Sequence, residues 1–166
     1  ERWYELKEKP NRFYGESDFI PPFEDIIEEQ HRMFKRHPNT TFINAHLGWL
    51  AHDLDRLGKH LDENPNVVTE FGAVIAELGR QPIAARKFMI KYQDRIMFGK
   101  DTYKKEEYYL YFRVLETNDE YFDYFRKRHA FWKMYGLGLP DEVLKKIYYK
   151  NAMSLFPSIS KKLISQ

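Results

Sequence analysis

A histidine and an aspartate each stand just beyond a short apolar run. The first run is Thr41–Ala45, followed by His46-Leu47-Gly48, and the second is Ile96–Phe98, followed by Gly99-Lys100-Asp101. Both runs read as short buried strands whose polar residue falls where the chain leaves the sheet. In parallel α/β architectures that carboxyl end is where chemistry is done. A neutral imidazole can take or return a proton near neutral pH, and a carboxylate can accept a proton or hold a hard cation. His46 and Asp101 could therefore meet over one metal ion or one water. Two residues do not complete an active site. Taken singly, His46 is also what a satisfied strand-end histidine looks like, and Asp101 what a helix N-cap looks like.

Four further residues fall near the same strand ends. Trp49 could wall a pocket or simply pack. Glu70 could hold a ligand by a hydrogen bond or form a loop ion pair. Lys100 could pair with a carboxylate or point outward. His52, at the start of the helix that follows His46, is a weak substrate-side candidate. His31, His37 and His60 lie on helices or loops and read as solvated or supporting residues.

The elements that must position these residues alternate. Phe23, Ile26, Ile27, Gln30 and Phe34 recur at helical spacing, which predicts a helix from Pro22 to about Arg36, ended by His37-Pro38. After the Thr41–Ala45 strand, Leu50, Leu54, Leu57 and Leu61 form the stripe of an amphipathic helix. Val67–Phe71 predicts a strand, Pro82 opens a helix presenting Ala85, Phe88, Met89 and Tyr92, and the Ile96–Phe98 strand follows. Helix-strand alternation with short connections is the pattern of a parallel sheet built from βαβ units.

The segment 103–135 breaks this rhythm. It holds twelve of the twenty-eight aromatic residues, which predicts a packed helical insertion rather than a linker. A last helix begins at Leu139-Pro140-Asp141, turns Leu144, Ile147, Tyr148 and Leu155 inward, and ends at Phe156-Pro157, leaving 158–166 as a tail. Three strands alone would expose two raw sheet edges and broad apolar faces. Pairing with further strands, from the same protein or from another chain, is therefore expected, and a homo-oligomer is one way to provide it.

Composition narrows the function classes. The chain has 166 residues, a formal net charge of +2 and no cysteine. That is enough for one domain core. It excludes disulfides, thiolate zinc sites and cysteine nucleophiles, and it gives no global attraction to nucleic acid or anionic membranes. Arg126-Lys127-Arg128-His129 beside Tyr124, Phe125 and Trp132 could stack on nucleic acid. Asp119, Glu120 and Asp123 in the same patch make the local field mixed, so packing or an active-site lid is the preferred reading. No apolar run approaches the roughly 20 residues of a membrane span. The opening Glu1-Arg2-Trp3-Tyr4 has neither an initiator Met nor a signal-like pattern, which reads as a piece of a longer protein and leaves the compartment open. A cytoplasmic location is slightly favoured, and a secreted or periplasmic one follows if a signal has been removed upstream.

Three phrases occur in order: Thr-Thr-Phe-Ile-Asn-Ala-His-Leu-Gly-Trp (40–49), Arg-Ile-Met-Phe-Gly-Lys-Asp (95–101) and Leu-Pro-Asp-Glu-Val-Leu-Lys-Lys-Ile-Tyr-Tyr-Lys-Asn-Ala (139–152). Together they resemble the amidohydrolase-related (amidohydrolase type 2) family of metal-dependent (β/α)8-barrel hydrolases and decarboxylases. The aromatic segment is similar to that of a bacterial subgroup. The resemblance implies an α/β fold that is the C-terminal part of a TIM barrel, about strands six to eight with their helices, within a domain spanning 1–157. It implies a divalent metal, zinc first, in the complete protein, with Asp101 as metal and water partner and His46 as the acid–base or water-orienting residue. It also implies a His-x-His pair on strand one and a His on strand five as further metal ligands, and these 166 residues contain neither. Gly99-Lys100-Asp101 departs from the family's more frequent Gly-Thr-Asp.

The expected parent activity is hydrolysis, or non-oxidative decarboxylation, of a small carboxylate, lactone or amide through a metal-activated water. A metal lowers the pKa of its water from about 15.7 towards about 7. The chain alone is expected to be inactive, and the alternatives are a pseudo-enzyme barrel part or a non-catalytic α/β interaction module.

Overall fold

The structure, a computed structural model, describes residues 2–12 and 19–158. Of the expected tail, only Ser158 lies among the described residues. A short helix α1 (Arg2–Glu8) precedes α2 (Phe23–Arg36), which carries Glu24 and Asp25 in its first turn and Lys35 and Arg36 in its last. Those charges complement the helix dipole at both ends. Ile27 and Phe34 are buried, whereas Phe23 and Ile26, expected on the same inner face, are 43% and 46% exposed. Strand β1 (Phe42–Asn44) follows. It is shorter than the expected Thr41–Ala45, because Ala45 already begins a tight turn through Trp49.

Helix α3 (Leu54–Glu63) starts at Asp53, whose carboxylate accepts from the Arg56 N–H at 3.0 Å as an N-cap. Leu50, expected on this helix, stands on the preceding turn and is buried there beside the helix's own Leu54, Leu57 and Leu61. Strand β2 (Val67–Glu70), a short helix α4 (Ile75–Gly79), helix α5 (Pro82–Lys91) and strand β3 (Ile96–Met97) complete the alternation. Helix α4 has no counterpart among the expected elements. Its five residues are too few for a helical period to stand out.

The three strands form one parallel sheet in the order β1-β2-β3, with Ile43 beside Val68 and Glu70 beside Met97. Side chains alternate across a strand, so Glu70 points to the face opposite the buried Thr69. The core lies between this sheet and the helices, around Leu57, Phe71, Ile75, Leu78, Met89 and Ile96.

The aromatic segment is helical only in α6 (Lys105–Glu116). Beyond Thr117 the chain is irregular, with a single antiparallel bridge between Phe122 and Met134. The insertion expected to be helical over about 103–135 is not helical there because the chain runs back along α6: the Leu137 N–H donates to the Val114 carbonyl at 2.6 Å and the Tyr135 N–H to the Gly79 carbonyl at 2.8 Å. Trp132 adds an indole bond to the Ala76 carbonyl at 3.1 Å.

The last helix is continuous through α7 (Asp141–Lys145), one π-helical turn (Lys146–Lys150) and α8 (Asn151–Leu155). The wider turn accompanies a contact that an ordinary helix would not make. The Ile147 carbonyl accepts from the Phe98 N–H at 2.8 Å, and the Asn151 amide donates to the Ile96 carbonyl at 2.7 Å. These two bonds cover part of the outer side of β3, so of the two expected sheet edges this one is not fully raw. Among the described residues neither β1 nor β3 has a further neighbouring strand, but the outer side of β3 meets the last helix, whereas Ile43 on β1 is 46% exposed.

Candidate active site

The carboxyl ends of the three strands bring His46, Glu70 and Asp101 together. His46 opens a turn in which His46, Leu47, Gly48 and Trp49 all take left-handed φ values of 55°, 54°, 60° and 61°. L-residues avoid this region at a cost of about 1–2 kcal/mol each, so surrounding contacts must fix the turn. Leu47 is wholly buried beneath it. The His46 main-chain N–H donates to Glu70 Oε1 at 2.5 Å. At Gly48 a Cβ would lie 2.4 Å from the Asn44 amide nitrogen, which already donates to Gln30 on α2 at 3.2 Å.

The imidazole is held by its Nδ1, which lies 2.6 Å from the Gly72 carbonyl oxygen. A carbonyl only accepts, so Nδ1 carries a proton, and the tautomer this selects has its lone pair on Nε2. Nδ1 also lies 3.5 Å from Glu70 Oε1 and 3.7 Å from Asp101 Oδ1. The His46 and Glu70 side chains are 23% and 15% exposed, and that of Asp101 is 49% exposed. The cluster thus has a sheltered floor and an open rim. Trp49 flanks it, its ring 5.1 Å from the imidazole.

Glu70 is the bracket of the site. Besides the His46 N–H, its carboxylate accepts from the Gly72 N–H at 2.6 Å. The space it fills exists because residue 99 is glycine: a Cβ at Gly99 would lie 1.6 Å from Glu70 Oε2. Glu70 is therefore tied to the backbone on both sides rather than turned to a ligand. Lys100 is buried, its ammonium paired with Glu107 on α6 and lying 5.6 Å from the Tyr111 ring centre and 5.9 Å from that of Phe125. It faces the aromatic segment, not an open cleft. The Lys100 ammonium holds the Glu107 carboxyl below the usual carboxylate range, and burial pushes the Tyr111 phenol up.

His52 is exposed on the turn before α3, its ring 6.2 Å from that of Phe23. A cleft of about 620 Å³ opens beside the cluster, lined by Phe23, Trp49, His52, Val74, Arg80 and His129. Arg80 there pairs with Glu77 at 3.4 Å and stacks over Trp132 at 4.7 Å. The sequence brought His46 and Asp101 to notice but not Gly72 and Gly99, which supply the carbonyl and the space. Glycines one or two residues beyond an apolar strand were the available signal.

A parallel α/β chain with a tautomer-fixed histidine and two carboxylates at the carboxyl ends of its strands has the layout of an α/β enzyme site. A family model described as Amidohydrolase matches residues 23–158, and the chain belongs to that family. Neither the curated proteins nor the solved structures compared with the chain gave a match.

The family implies metal-dependent, hydrolase-like chemistry and a divalent metal. Among the described residues no three His, Asp or Glu side chains are grouped to hold one. Glu70 is engaged by two backbone N–H groups, which leaves His46 Nε2 and Asp101, two donors where a catalytic metal takes about three protein ligands. His46, Glu70 and Asp101 do not by themselves fit a metal.

Proposed function

We propose that this chain is the C-terminal part of an amidohydrolase (β/α)8 barrel, supplying strands six to eight, and that the complete protein hydrolyses or non-oxidatively decarboxylates a small carboxylate, lactone or amide. The observation that carries the reading is the convergence of His46, Glu70 and Asp101 at the carboxyl end of the sheet with the His46 Nε2 lone pair left available. In this reading Nε2 takes a proton from the attacking water and returns one to the leaving group. Asp101, half-exposed at the rim, is the acceptor nearest the incoming water and the one metal-ligand candidate from these strands. Glu70 and Gly72 keep the ring in the productive tautomer. The cleft beside Trp49 takes the body of the substrate.

The unpaired side of β1, where Ile43 is exposed, supports pairing with the remaining strands of the barrel. The metal, zinc first, would draw its other ligands from those strands, and the isolated chain is inactive on this account. The test uses the complete protein, assayed on a panel of small lactones, amides and carboxylic acids with zinc or manganese. His46→Ala and Asp101→Ala should each lower turnover at least about 100-fold, the span of one acid–base group. Wild-type rates in both variants would sink the reading.

A further inference from the structure

Helix α6 lies outside the three strands, yet two of its residues reach the loops that carry the cluster. Glu107 and Tyr111 stand one turn apart, so they share a face. Glu107 pairs with Lys100, the residue immediately before Asp101, and Lys104 and Arg126 approach the same carboxylate at 3.8 and 3.9 Å. The Lys100 side chain is 2% exposed, so its ammonium and the adjoining backbone are set by this contact. Tyr111 is 1% exposed, its ring stacked at 6.3 Å on that of Phe71, and the Ala73 backbone acts on its hydroxyl. Ala73 itself has a φ of 57° and follows Gly72, whose carbonyl fixes the His46 tautomer. The two rings between them close the frame: Phe98 lies 5.8 Å from Tyr111 and 5.4 Å from Phe71, which precedes Gly72.

We propose that Glu107 and Tyr111 are positioning residues: one face of α6 grips the β2 loop through Ala73 and the β3 loop through Lys100, and so sets the separation of His46 from Asp101. The proposal rests on the reading of His46, Glu70 and Asp101 as the working cluster. An aromatic helix that follows the last strand is on this account part of the active-site frame. A surface elaboration would contact neither loop. Lys100 fits this role, since its long cationic side chain reaches a carboxylate on α6.

The test is nuclear magnetic resonance of the described chain, reading the His46 ring signals and the Gly72, Ala73 and Asp101 amides, alongside thermal melting. The variants are Tyr111→Phe, Glu107→Gln and the double Lys100→Met/Glu107→Gln, which removes both charges at nearly constant volume. Tyr148→Phe is the control, because its hydroxyl donates to Glu116 at 2.6 Å at the far end of the same helix. Tyr111→Phe and Tyr148→Phe should each lower Tm by about 2–6 °C, as expected for one lost hydrogen bond. Only the first should move the His46 and Gly72 signals. Glu107→Gln or the double variant should move Asp101.

Site signals that stay at their wild-type positions in Tyr111→Phe and in the double variant would overturn the proposal, whatever happens to Tm. If instead the signals move while His46→Ala leaves turnover of the complete protein intact, the positioning stands and the functional reading falls.

Discussion

Gly99→Ala is the substitution that most directly interrogates the cluster, because its consequence can be worked from one distance. The new methyl carbon would lie 1.6 Å from Glu70 Oε2, 2.5 Å from Glu70 Cδ and 2.9 Å from Glu70 Cβ. Carbon and oxygen need about 3.2 Å or more, so the carboxylate must leave. It surrenders two charge-assisted bonds when it goes, from the His46 and Gly72 N–H groups. Such bonds contribute about 1.5–3 kcal/mol each, and the strain of the inserted methyl adds about 1–3 kcal/mol. The carboxylate regains hydration at the rim and water can reach the freed amides, which returns part of the loss. A net destabilisation of about 2–5 kcal/mol is expected, a large share of a typical domain's stability of about 5–15 kcal/mol.

The assay is urea unfolding of four proteins: wild type, Gly99→Ala, Glu70→Ala and the double variant. If the methyl acts by evicting the carboxylate, it should do little once Glu70 is already alanine. The double variant should then be more stable than the sum of the single effects predicts by about 2 kcal/mol or more. Strict additivity, or a Gly99→Ala protein as stable as wild type, would refute the placement of Glu70 against Gly99 and with it the account of how His46 is held.

Other perturbations follow from the same contacts. Glu107→Gln should destabilise more than Lys100→Met, by about 1–3 kcal/mol, because it leaves a buried ammonium uncompensated, whereas Glu107 keeps Lys104 and Arg126 within 3.9 Å when Lys100 is lost; equal losses in denaturant melts would contradict this. Gly48→Ala should cost about 1–3 kcal/mol, since φ is +60° there and the methyl would press on the Asn44 amide, and Gly48→Asn should be milder because asparagine tolerates this region better.

The His31–His60 pair predicts a pH dependence. Their rings stack at 3.7 Å between α2 and α3, and the Asn64 amide nitrogen lies 2.6 Å from His31 Nε2. Burial and, next, the facing His31 push His60 from the usual 6.5 down to about 4, and burial also lowers His31. The unfolded chain therefore binds more protons than the folded one between about pH 4 and 6.5. Stability rises with pH across that window, is lost as pH falls through it, and is flat above. Lys35, Glu63 and Arg56 also face the pair and modulate the slope. His60→Gln should flatten it in urea melts at pH 5 and 7.5; an unchanged slope would place its origin elsewhere.

What was legible in the sequence follows from how each feature is encoded. The β1-α3-β2-α5-β3 succession was readable because apolar periodicity and a proline start are local signals. Pro82 acts within the first turn of its own helix, whereas the Asp53 N-cap went unread, the expected α3 starting instead at Leu50. His46 and Asp101 stood out because each follows an apolar run. The left-handed turn at 46–49 was not readable, since three of its four residues are not glycine and only burial of Leu47 and the Glu70 bond compel it. The helical character expected of the whole insertion at about 103–135 held only for α6, for a similar reason. Aromatic content signals burial but not conformation, and the 117–138 segment satisfies its backbone against α4 and α6 and through non-helical bonds such as the Phe122–Met134 pair. Glu107 and Tyr111 were invisible for a deeper reason: each acts on a residue in another loop, in the nearer case seven positions away, through a contact that exists only once α6 has docked. The site thus divides by range. Its chemical groups announce themselves through the strand that precedes them, whereas the groups that aim them lie on other elements and become apparent only from the packing.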